Sequence, residues 1–155
     1  MNQLCIYKFK TSISSRTMGL LKLHILHAEL HHKVGGPLHK MSPIVHIKVG
    51  GMDFATQPCH HGGKNPKWTL QFMAIPTNMF EHQMHIVIKD QGHPLQVISE
   101  ARVPLNVFTG FGPKQEQIRM SDGGWLVMRS EFEGMAAPMG GVAIVQPAPQ
   151  IAVVQ

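Results

Sequence analysis

The sequence predicts an all-β fold, an eight-stranded antiparallel β-sandwich, and three observations lead there. Apolar residues recur at every second position in one segment after another. Clusters of Gly and Pro punctuate those segments, and nothing between them holds a helical period long enough to change the class. With 155 residues, 43% of them hydrophobic, the chain suits one domain with short extensions and rules out a large multidomain enzyme. Fifteen Gly and eleven Pro against 6% aromatics favour turns and short strands over a helical bundle.

Each strand has its own pattern. Leu21, Leu23 and Ile25 share a face opposite Lys22 and His24, which gives a first strand near 19–28. Val45, Ile47 and Val49 alternate with His46 and Lys48 (43–50), and Gly50-Gly51 then reads as a hairpin turn into a third strand, 53–58. Trp68, Leu70 and Phe72 alternate with Thr69 and Gln71 (68–75), so Trp68 and Phe72 are expected in the core. Met84, Ile86 and Ile88 alternate with His85 and Lys89 (84–90). Strands at 97–104, 115–119 and 124–132 complete the set, the last two separated by Asp122-Gly123-Gly124. Four segments with one apolar face each need a second sheet to cover them. Phe108 and Phe111, with Gly110 and Gly112, fall in a loop, and packing beneath it is the expected outcome rather than a membrane-inserting tip. The outward Lys22, His24, His46, Lys48, His85 and Lys89 could form a basic sheet face, though a solvated face serves equally well.

The ends differ from this middle. Residues 1–17 hold Lys8, Lys10, Arg16 and several Ser and Thr, and the first acidic residue is Glu29. That composition reads as a disordered or targeting leader, compatible with a mitochondrial presequence or with an upstream start before Met18. The domain proper is 18–132, and 133–155 is a Gly/Pro/Ala/Val-rich tail that carries no charge after Glu133. No early apolar run resembles a signal peptide, and Cys5 and Cys59 alone make no disulfide framework. A reduced, cytoplasmic protein is expected, with peripheral membrane association and mitochondrial import as further possibilities.

Net charge is +5 with eleven histidines neutral, so the chain becomes strongly basic on acidification. That suits anionic membranes or nucleic acid. The thinly spread basic residues, without interleaved aromatics, argue against nucleic acid. There is no Gly-x-Ser-x-Gly, phosphate loop, Cys-x-x-Cys or His-Glu-x-x-His, and only nine acidic residues, so neither an enzyme nor a cofactor is expected.

Several segments resemble a known family. Gly19 to Ile25 with Ala28 and Leu30 resembles the first strand of a C2 domain. Met41-Ser42-Pro43-Ile44-Val45 is similar to its Ser-Asp-Pro-Tyr-Val segment, and Thr56 to the Thr closing its third strand. Lys64-Asn65-Pro66-Lys67-Trp68 matches the Asn-Pro-x-Trp turn, the most specific signal of the set. Met84 to Asp90 resembles the Leu-x-Val-x-Val-x-Asp strand, with Ile98-Ser99 where Ile-Gly is usual, and Trp125 the Trp that opens the last strand. The likeness covers roughly 19–132 and is greatest to small single-C2 proteins of the plant elicitor-responsive kind. It implies a C2-like Greek-key sandwich of type II topology, with three loops gathered at one end.

In the family, that end holds calcium with about five carboxylates, because a hard dication takes six to eight oxygens, several of them anionic. The matching positions here are Gly36, Ser42, Asp90, Gly92 and, approximately, Gln96, which leaves one carboxylate. The resemblance therefore implies no calcium site, and Asp90 is expected to cap its own loop. Cationic and titratable residues stand in place of the acids: His31, His32, Lys33, His39 and Lys40 in the first loop; Cys59, His60, His61, Lys64 and Lys67 in or beside the second; His93 in the third.

Three readings follow for this cap. Lys33, Lys40, Lys64 and Lys67 with His31, His32, His60, His61 and His93 would meet anionic phospholipid, binding more tightly below about pH 6.5 and failing in high salt. His60, His61 and Cys59 with a first-loop His or His93 could ligate zinc, but their spacing is no recognised motif and adjacent histidines point apart on an extended strand. The plainest reading is a set of polar loops that bind nothing. The function expected is a calcium-independent C2 module that docks on anionic membrane or on a protein partner. The alternative is a structural component of a larger assembly, whose tail adds Ala143–Val145 or Ile151–Val154 to a partner's sheet edge.

Overall fold

The computed structural model describes residues 17–78, 82–92, 96–110 and 112–134. Within them lie β1 (Thr17–Glu29), β2 (Pro43–Val49), β3 (Met52–Ala55), β4 (Lys67–Asn78), β5 (Gln83–Asp90), β6 (Gln96–Pro104), β7 (Lys114–Arg119) and β8 (Trp125–Gly134). One turn of 3-10 helix, Leu105–Val107, follows β6. All eight expected strands are present, and they form two four-stranded antiparallel sheets, β4-β1-β8-β7 and β3-β2-β5-β6. Residues 1–16 of the leader and 135–155 of the tail, with Phe111 and His93, lie outside the described residues, whereas Thr17 opens β1 and Glu133 and Gly134 close β8.

The core is the set that the period-two pattern selects. Leu21, Leu23 and Ile25 of β1 pack with Val45, Ile47 and Val49 of β2 and with Met84, Ile86 and Ile88 of β5. Burying each such side chain contributes about 1.5–3 kcal/mol. Phe108 is buried beneath the loop that follows the 3-10 turn, as expected. β3 ends at Ala55, shorter than the expected 53–58. The cause is Thr56, whose hydroxyl accepts the Val45 amide at 3.0 Å and whose own amide donates to Val45 O at 2.9 Å. The side chain thus closes the pairing.

Two expectations need correcting. Trp68 is buried, but Phe72 is 50% exposed and lies on the outer face, its ring 5.0 Å from that of His24. The β1–β4 register is irregular between Ile25 and His27, opposite Lys67 to Gln71. A bulge of this kind changes the phase of the strands. Beyond it, β4 buries Met73, Ile75 and Thr77 instead.

Nor do the six outward basic residues make one face. Lys22 and His24 lie on the sheet of β1, whereas His46, Lys48, His85 and Lys89 lie on the opposite sheet. Several are already paired: Lys22 with Glu133, Lys48 with Asp53 at 3.7 Å, and His85 with Glu100 at 3.0 Å. Burial, reinforced by the Lys89 and Lys48 charges against the opposing pull of Asp53, holds the His46 imidazole below its ordinary range.

Antiparallel pairing makes β1 and β7 finish at one end of their sheet and β3 and β5 at one end of theirs, and bonds between the connections that follow bring the two ends together. The connections 30–42, 56–66 and 120–124 meet there, together with Gln91 and Gly92 after β5. Leu30 N donates to Lys64 O at 2.7 Å, Gly63 N to Met41 O at 3.0 Å and Gln91 N to Ser42 O at 3.1 Å.

Candidate functional site

The loop end is built around the segment 30–42, which is held at both feet by carboxylates. At the first foot Asp122 Oδ2 accepts the amides of His31 (2.7 Å) and His32 (3.0 Å). Its Oδ1 accepts the Gly124 amide and the Ser99 hydroxyl, each at 2.9 Å. Partial burial would raise the Asp122 carboxyl, but the bonds from His32, Gly124, His31 and Ser99 outweigh it and hold the group below its usual range. The turn can come so close to β1 only because position 124 is glycine: a Cβ there would lie 2.0 Å from Glu29 O. His31, His32, Ile98, Ser121 and Asp122 line an open cleft of about 360 Å3 at this foot.

At the second foot Asp90 is 3% exposed. Its Oδ1 accepts the Ser42 amide at 2.7 Å, and Oδ2 lies 2.5 Å from His39 Nε2. An ionised carboxylate only accepts, so Nε2 carries the proton of that contact. Ser42 in turn accepts the His61 amide on its hydroxyl at 3.1 Å, and Cys59 N donates to Pro43 O at 2.9 Å. The carboxylate therefore does not cap its own loop, contrary to expectation. The turn after β5 is closed by the main-chain carbonyl of Asp90, which takes the Gly92 amide at 2.8 Å, while the side chain reaches across to the β1–β2 connection.

The remaining predicted residues fall around these two feet. Lys33, Lys40, Lys64 and Lys67 are exposed, and Lys33 Nζ donates to Pro37 O at 2.9 Å. His31 and His32 stand beside Asp122, with His31 Nε2 3.1 Å from Glu29 Oε1. His61 stands across from Ser42. His60 and His61 occupy a turn and not an extended strand, and His61 has φ +54°, in the left-handed region that His enters more readily than most residues. Of the positions matched to calcium ligands, Gly36 is exposed, Gly92 serves the β5 turn, and Gln96 opens β6 across from Asp90. Among the described residues no three His, Cys, Asp or Glu side chains are grouped so as to hold a metal ion.

Sequence reasoning misses two residues at this end. Asp122 reads there only as a turn former, although an Asp before Gly-Gly is well placed to bind local amides. Leu38 is 96% exposed at the tip of the 30–42 segment. Its signal is plain enough: a lone large apolar residue between Pro37 and His39, in a loop with no period to bury it.

No family model and no curated protein sequence matches the chain. Solved structures do. A C2 domain of plant extended synaptotagmin 1 superposes with a TM-score of 0.66 at 13% identity, over 77% of this chain and 98% of that one. A C2 domain-containing protein from a putative elicitor-responsive gene gives 0.59 at 20% identity, over 84% and 99%. A fragment of extended synaptotagmin 2 that holds its SMP domain and two C2 domains gives 0.62 at 14% identity over 75% of this chain, which spans only 28% of that one. Together with the strand order and the connections gathered at one end, these likenesses establish that the chain carries the C2 fold.

Proposed function

We propose that the chain is a C2 module that docks, without calcium, on anionic phospholipid through the end where the 30–42 and 56–66 connections meet. The observation that carries this reading is how the acids there are spent. Asp90 gives one carboxylate oxygen to an amide and the other to an imidazole, and Asp122 takes four donors. A dication needs several anionic oxygens free to turn toward it, and the oxygens of these two carboxylates are already engaged by the protein's own donors. Around them stand exposed Lys33, Lys40, Lys64 and Lys67 with His31, His32, His60 and His61, and Leu38 projects between. Lysines near an anionic surface contribute about 1 kcal/mol each, and an apolar tip adds burial in the acyl boundary.

Sedimentation with phosphatidylserine or phosphoinositide vesicles between pH 5.5 and 7.5 tests the proposal. Binding should survive a calcium chelator, strengthen toward pH 5.5 and weaken in high salt. Lys40→Glu and Lys64→Glu should each weaken it at least about five-fold. Absence of pelleting across that pH range would defeat the membrane reading.

A further inference from the structure

We propose that His39 is a positioning residue that sets the pose of the exposed Leu38 tip, acting through the buried carboxylate of Asp90. Four observations support it. The imidazole Nε2 lies 2.5 Å from Asp90 Oδ2, and among the described residues no other ionisable side chain pairs with that carboxylate. Asp90 is buried, so an oxygen that lost this partner would stay dehydrated and unsatisfied, a state proteins avoid. The imidazole ring is seated against Gly35, where a Cβ would come within 2.4 Å of it at φ +85°, so the loop leaves room for the ring. The main chain closes around it as well, with His39 N donating to Gly36 O at 3.0 Å.

The consequence is local and directional. Leu38 precedes His39 directly and has no packing partner of its own to hold it, being 96% exposed. Its position is inherited from its neighbour. The strut on the His39 side is also the one that leads deepest: Asp90 Oδ1 holds Ser42 N, and Ser42 holds both Gln91 N through its carbonyl and His61 N through its hydroxyl. One imidazole thus ties the tip to the connections that follow β3 and β5. Lys33 and Lys40 lie on the same segment, and the 56–66 connection meets that segment through the His61 amide on Ser42, but the geometry of the contact belongs to His39 and Asp90. The membrane consequence rests on the function proposed above, whereas the pose itself does not.

Amide hydrogen exchange on the whole chain, combined with vesicle sedimentation, separates the two. His39→Ala should speed exchange at the Ser42 and His39 amides about ten-fold while leaving the β2 and β5 core amides unchanged. His39→Gln, whose Nε2 can reach the same oxygen, should restore protection; a merely space-filling role would be rescued by His39→Leu instead. In sedimentation with phosphatidylserine vesicles, His39→Ala should cost as much binding as Leu38→Ser, and adding one to the other should cost little more. Unchanged exchange in His39→Ala, or rescue by Leu and not Gln, overturns the proposal. So does faster exchange with vesicle binding equal to that of the unmodified protein. If the unmodified protein does not bind vesicles, the membrane reading falls, and the positioning role is decided by the exchange rates alone.

Discussion

Asp90 and Asp122 do the same work at opposite feet of one loop and do it with different partners. Asp122 is bonded by three main-chain amides and one hydroxyl, donors that side-chain changes at His31 or His32 leave intact. Asp90 has one amide and one imidazole, so half of its satisfaction depends on which side chain stands at position 39. The difference teaches where variation can act. The first foot is fixed by backbone geometry, and the second can be loosened or tightened by a single substitution. Both carboxylates are engaged by donors of the protein itself, and the end of the sandwich shows its lysines and histidines to solvent.

The largest effect should come from breaking the first foot. Asp122→Ala leaves the His31 and His32 amides, the Gly124 amide and the Ser99 hydroxyl without their acceptor, so urea unfolding should report a loss of about 3 kcal/mol. Asp122→Asn keeps the shape but not the charge and should lose roughly half of that. A loss below about 1 kcal/mol for the Ala variant would mean that water replaces the carboxylate freely and that the foot is not a clamp.

Acid should separate the two kinds of titrating group more gently. The Asp122 carboxyl is held below its ordinary value of 3.8, so its contribution is complete above that pH and is lost as pH falls through the lower folded value. His46, on the outer face of the other sheet, has its imidazole held below 6.5. A depressed folded value means that the unfolded chain binds the extra proton first, so stability should already decline as pH drops below 6.5. His46→Gln should level that upper limb and leave the lower one, whereas Asp122→Asn should do the reverse. Thermal unfolding followed from about pH 7.5 to about pH 3 reads both.

The sheets were legible because their information is periodic. A side chain every second residue is enough to place Leu21, Leu23 and Ile25 indoors, and the turn residues mark where each run stops. Phe72 was misplaced because a bulge changes phase without leaving a compositional trace, so alternation counted from Trp68 carried one step too far. The loop end was legible in what it holds but not in how it is wired. That Asp90 reaches Ser42 and His39, 48 and 51 positions away, follows from the stacking of two connections at one end, which no local spacing encodes. Asp122 lay further still from His31, across a separation of 91.

The smallest predicted effect is also the sharpest test of the contrast between the feet. His31 Nε2 lies 3.1 Å from Glu29 Oε1, and on a map of charges this pair looks like the counterpart of His39 and Asp90. Physically it is not. The side chains of His31 and Glu29 are 51% and 62% exposed, so water screens the attraction and solvates either partner when the other is removed, whereas Asp90 is 4% exposed on the same measure. Glu29→Gln should therefore change stability by less than about 0.5 kcal/mol and leave exchange at the His31 and His32 amides as it was. A cost above about 1 kcal/mol, or faster exchange at those amides, would show that the first foot leans on the His31 side chain and not on Asp122 alone. The two feet would then be alike, and the loop's tunable side would no longer be confined to position 39.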